Sequence, residues 1–151
     1  ENQINGIMLM DTNGNTKELI KDLCSRLPYG IIVNVKGFDY DYNDKLTQIY
    51  RGVGCSIQVT TNVPYDIEQV KPYLFPLSSM TKEQKKGLEN LGWNFDNFEI
   101  HNISECLGTY REYVAHSDCF NLIDWLNKNH FDYRGLIGKG LAIDATGLNI
   151  Y

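Results

Sequence analysis

Apolar positions recur at helical spacing near both ends of this chain and at strand spacing between them. Leu19, Ile20, Leu23, Cys24 and Leu27 share one face of a helix of about three turns. Asn15 with Glu18 three residues on predicts its capping box, and Pro28 ahead of Tyr29-Gly30 predicts its end. The stretch from Ser117 to Ala145 organises the rest. Leu122, Ile123, Leu126 and His130 fall on one side of a second helix, flanked by Cys119 and Trp125. Ser117 is its expected N-cap, and Asn129-His130 its expected exit because Asn tolerates left-handed geometry.

Ile31 to Val35 is rich in β-branched residues and reads as a strand. Gly37 to Lys45 reads as a solvated hairpin. Its acids Asp39, Asp41 and Asp44 hint at a calcium loop, but the glycine and closing glutamate of such a loop are missing. Leu46 to Arg51 and Cys55 to Thr60 read as further strands. Asn62 to Pro76 is punctuated by Pro64, Pro72 and Pro76; Asp66 to Lys71 suits one helical turn, and Pro72 forces Lys71 out of helical geometry. Thr81 with Gln84 predicts a capped surface helix anchored by Leu88 and Leu91 and ended by Gly92. Trp93 to Ile103 reads as a strand or an aromatic loop, and Ser104 to His116 fits either helix or extended chain.

These elements predict an α+β fold, a small antiparallel sheet packed against N-terminal and C-terminal helices. One domain over residues 1–151 is expected, with 1–14 a loose lead-in in which Ile7 to Met10 suit a short added strand.

Net charge is −5, which argues against bulk nucleic-acid binding through phosphate neutralisation. No apolar run is long enough to span a membrane, and the opening residues lack the pattern of a secretory signal. Cys24, Cys55, Cys106 and Cys119 are scattered without a paired motif, so reduced thiols and a cytoplasmic location are expected. His101, His116 and His130 have no metal-ligand spacing with them; no metal and no cofactor are expected. Ten tyrosines suit either the rim of a β-rich core or a contact surface.

Two constellations invite chemistry. The segment Gly135–Gly140, GLIGKG, has glycines and Lys139 as a phosphate loop would, but it is shorter than the Walker form and Leu141 replaces the hydroxyl. Its Gly135 and Gly138 also match the G-x-x-G clamp of KH domains, without the basic setting. His130, Asp132, Tyr133 and Arg134 form the densest polar group, open to a general-base and anion-holding reading or to a buried structural network around Arg134. No G-x-S-x-G elbow accompanies Ser78-Ser79, so no catalytic triad can be argued.

The runs KDLCSRLPYG (Lys21–Gly30), VKPYLFPLSSMT (Val70–Thr81) and NHFDYRGLI (Asn129–Ile137) together resemble a family of short uncharacterised proteins of gut bacteroidete genomes, their phages and mobile elements. The resemblance implies a small intracellular protein and brings no activity or catalytic residues. The resemblance implies Arg where Phe75 stands and Glu where Gly138 stands. The first departure weakens an anion site in the proline loop, and the second loosens the Gly138 turn.

Two functions follow as expectations. One is a non-enzymatic binding or adaptor protein that meets a protein partner through an exposed aromatic surface of Trp93, Phe95 and Tyr133. The other is a small enzyme or nucleotide-binding protein whose pocket gathers His130, Tyr133, Arg134 and Lys139.

Overall fold

The structure is a computed structural model that describes residues 14–51, 57–60, 63–96, 99–102 and 116–151. Helix α1 (Gly14–Arg26) buries Leu19 and Leu23 and hands over through a 3-10 turn (Leu27–Tyr29) to Gly30, whose left-handed φ of 72° reverses the chain. Among the described residues α1 starts at Gly14, so Asn15 lies inside it rather than capping it. Strands β1 (Ile32–Lys36) and β2 (Asp41–Lys45) form an antiparallel hairpin. Strands β3 (Gln48–Arg51), β4 (Ile57–Thr60) and β5 (Pro64–Asp66) make a separate antiparallel sheet.

Strand β6 (Val70–Pro76) is the centre of the molecule, and the proline-broken reading of this segment is corrected by it. The expected helical turn shrinks to a 3-10 turn (Ile67–Gln69). Prolines usually exclude a central strand because they cannot donate to the ladder. Here the parity of the ladder removes the objection. Leu46 N–H donates to Ile31 O, so Ile31, Val33 and Val35 bond β2 while Asn34 turns its backbone to Lys71. Phe75 N–H then donates to His130 O on that same edge, and Leu74 O accepts from Ala145 N–H on the opposite one. Pro72 and Pro76 share the edge of Leu74, so neither interrupts the pairing with β1.

Strand β7 (Trp93–Asp96) and strand β8 (Glu99–Asn102) form a hairpin after α2 (Lys82–Glu89), whose expected Thr81–Gln84 capping box is present. Helix α2 lies on the surface as expected, with Leu88 as its one buried residue. Leu88 is fully buried, and Gly87 faces the Trp125 indole of α3 (His116–Lys128). Helix α3 begins among the described residues at His116, placing Ser117 inside it. Two short strands complete the sheet. β9 (Phe131–Asp132) and β10 (Ile143–Asp144) both run parallel to β6, on its two opposite edges. The fold is α+β, with these parallel additions making the central sheet mixed.

Successive residues of β6 serve different cores. Val70 and Leu74 join Leu19, Leu23, Ile31, Val33 and Leu136 beneath α1. Phe75 packs instead with Met80, Leu88, Phe95, Leu122, Leu126 and Phe131. Among the described residues no helix is long and apolar enough to cross a membrane.

Candidate functional site

The polar group expected around Arg134 is centred on a different arginine. Arg26 closes α1, and its guanidinium is fully buried against the fully buried Asp22 one turn earlier. Arg26 Nε donates to Asp22 Oδ2 at 2.7 Å, and Nη2 donates both to Asp22 Oδ1 at 3.0 Å and to Phe131 O at 2.7 Å. Helix α1 is thereby pinned to β9 by a charge-assisted bond. Arg134, 32% exposed, sits outside this pair with Nε 3.4 Å from Asp22 Oδ1. Both guanidinium groups lie over the Tyr133 ring, at 5.3 Å for Arg26 and 5.0 Å for Arg134. The Tyr133 hydroxyl donates to Asn127 Oδ1 at 3.0 Å.

His130 ends α3, and it is this residue rather than Asn129 that takes the left-handed conformation, with φ of 57°. Asn129 is engaged otherwise, its amide donating to Trp125 O at 2.8 Å. The buried imidazole stacks on Tyr151 at 3.9 Å between centroids. Burial first, and the Arg26 charge second, lower its pKa to about 4, so the ring is neutral near neutral pH. Tyr151 in turn donates its hydroxyl to Tyr73 O at 2.7 Å and accepts from Ile32 N–H at 3.3 Å.

The GLIGKG segment has the amide geometry of an anion cradle, and the chain supplies the anion. Asp132 accepts from Leu136 N–H at 2.9 Å and from Ile137 N–H at 2.8 Å. Gly135 and Gly140 take φ of 70° and 71°, closing the turn around that carboxylate. Lys139 pairs with Glu18, one turn before Asp22 on α1. The four residues of the expected pocket are therefore not brought together at one place. His130, Tyr133 and Arg134 gather around Asp22–Arg26, while Lys139 docks the loop elsewhere on the same helix. A small hollow between α1 and the Ile67–Gln69 turn, lined by Leu19, Ile67, Val70 and Leu141 with Thr16, Glu68 and Lys71, contains none of them.

The expected aromatic surface is also corrected. Phe95 is buried and Trp93 half-buried, because β7 turns both rings onto Leu88 and Met80 rather than outward. Tyr133 is half-buried between its two arginines.

Among the described residues the most exposed aromatic rings are Phe38 and Tyr40 of the β1–β2 hairpin, followed by Phe120 of α3. Phe38 is fully exposed and Tyr40 largely so. Tyr40 leans on Tyr42 at 6.2 Å, and Tyr42 meets Tyr65 of β5 edge-on at 6.1 Å. A hydrogen bond to Tyr42, followed by burial, raises the Tyr65 pKa above that of a free phenol. The ladder thus rises from the core, where Tyr42 packs on the apolar cluster, out to the tip. Gly37 sets the tip's shape. A side chain there would meet Tyr40 O at 2.3 Å, so the backbone folds over a position only glycine fits. The sequence signal was the alternation FDYDYND, which by its acids reads as a solvated turn.

No protein-family model, curated protein or solved structure matches this chain.

Proposed function

We propose that this chain is a small intracellular protein of phage or mobile-element type, working as a non-enzymatic binding or adaptor module. Its contact surface is the tip of the β1–β2 hairpin. The observation that carries this reading is Phe38, a phenylalanine fully exposed beside the exposed Tyr40 on a turn held by Gly37 and braced by Tyr42 and Tyr65. Aromatic rings of this kind anchor protein interfaces, where they bury much apolar area for little conformational entropy. The rival phosphate-binding reading has less support. The amides of Leu136 and Ile137 are taken by Asp132, and Arg134 and Lys139 both face acids of α1.

The test is affinity capture from a lysate of the native host, using the wild-type chain beside Phe38→Ala/Tyr40→Ala. A partner retained by the wild type and lost by the double variant, with melting temperature unchanged, supports the module. Equal capture by both chains overturns it. A melting temperature raised by nucleotides or inorganic phosphate would favour the rival reading.

A further inference from the structure

The hairpin tip is not simply apolar. Its residues alternate ring and carboxylate, Phe38-Asp39-Tyr40-Asp41-Tyr42, and Asp39 and Asp41 are both exposed. Among the described residues neither acid forms an ion pair. Lys36 stands across from Asp41 in the register without bonding it, and the Lys45 ammonium is turned toward Gly30. The tip therefore carries two exposed carboxylates without an ion-pair partner among the described residues, in the same run as two exposed rings, on a chain whose net charge is −5.

We infer that this tip binds arginine- or lysine-bearing peptide segments, seating the cations on the Phe38 and Tyr40 rings with Asp39 and Asp41 as counter-charges. The inference rests on the binding-module reading and names its partner's chemistry. Rings attract cations through their quadrupole, and a flanking carboxylate adds attraction and orientation. Complementary charge also selects among partners, since an acidic peptide or an anionic lipid surface would be repelled by the same two acids. Arginine suits the site best, because its planar guanidinium stacks on a ring while reaching a carboxylate with its edge.

The experiment uses the whole chain and three labelled peptides of equal length, alternating glycine with arginine, glutamate or serine. Fluorescence anisotropy is read at low and at high salt. The arginine peptide is expected to bind, to weaken as salt rises, and to outcompete the other two. D39N/D41N, with its melting temperature unchanged, is expected to weaken that binding by about tenfold. Binding of the glutamate or serine peptide as tight as the arginine one overturns the inference, as does undiminished binding by D39N/D41N. Preference for anionic phospholipid vesicles over the arginine peptide overturns it too. If the arginine peptide fails while Phe38→Ala/Tyr40→Ala still abolishes capture from lysate, the partner chemistry is wrong and the module stands. If that double variant captures as well as wild type, the module reading itself fails.

Discussion

Arg26 and Asp22 face each other across one turn of α1 with both side chains fully buried, and the same guanidinium reaches the Phe131 carbonyl of β9. A buried pair of this kind is a weak source of net stability, but removing one partner strands the other's charge. Arg26→Ala is therefore expected to cost about 3–5 kcal/mol in a urea melt. Arg26→Lys should also lose stability, because an ammonium cannot hold Asp22 through two edges while reaching Phe131 O. Arg134→Ala, removing a partly exposed neighbour, should cost about 1 kcal/mol or less. If Arg134→Ala proves the more damaging of the two alanine variants, the centre of this network has been misplaced.

The Tyr151 hydroxyl joins two strands where their own ladder stops. It bonds Tyr73 O on β6 and Ile32 N–H at the start of β1, just before β9 takes over that edge. Tyr151→Phe keeps the ring against His130 and removes only the oxygen. The two backbone groups lose their partner at a cost of roughly 1–3 kcal/mol. A urea midpoint indistinguishable from wild type would show that solvent satisfies both groups.

These two networks illustrate what the chain's pattern revealed and what it withheld. Periodicity located α1 and α3, because each must bury a stripe, and Leu23 and Leu126 are buried as that stripe demands. It located β1 and the capped start of α2 for equally local reasons. Strand β6 escaped it, since whether Pro72 damages a ladder depends on which edge its nitrogen faces, and that is fixed only by β1 and β10. The same limit applies to the site. An arginine near a carboxylate can be read from spacing, but the choice of Arg26 over Arg134 was made by Phe131 O, far away in sequence. The acids of the FDYDYND run pointed to a solvated turn. That its rings also face outward follows from Gly37 and Tyr40, whose close approach no periodicity encodes. Expectations placed on Cys55, Cys106, Ile7 to Met10 and Ser104 to Ala115 lie outside the described residues.

His130 gives the fold a dependence on pH with a definite direction. Its folded pKa, lowered to about 4 by burial and by Arg26, lies below the unfolded value of about 6.5. Between those values the unfolded chain takes up a proton that the folded chain refuses. The contribution of His130 is complete above the unfolded pKa and is lost as pH falls toward the folded one. Asn tolerates the left-handed backbone at this position, so His130→Asn is the appropriate comparison. Urea midpoints across pH 7.5 to about 4.5 should fall more steeply for wild type than for the variant. Parallel slopes would mean that carboxylates alone govern the acid limb.

Asp132 provides the most discriminating test of the glycine-rich segment. Its carboxylate holds the amides of Leu136 and Ile137, and Leu136 is fully buried, so water cannot readily replace it. Asp132→Ala orphans both donors, at roughly 1–3 kcal/mol for each group left unsatisfied. Asp132→Asn keeps one acceptor oxygen and should fall between the variant and wild type. The alanine variant also opens a cradle of amides and glycines shaped for an anion. Formate, small enough to enter, should then restore part of the lost stability when compared with chloride at equal ionic strength, and should do little for wild type. Equal effects of formate on the two chains would mean that the amides are not held open once the carboxylate is gone. The turn would then owe its shape to Asp132 rather than to its glycines.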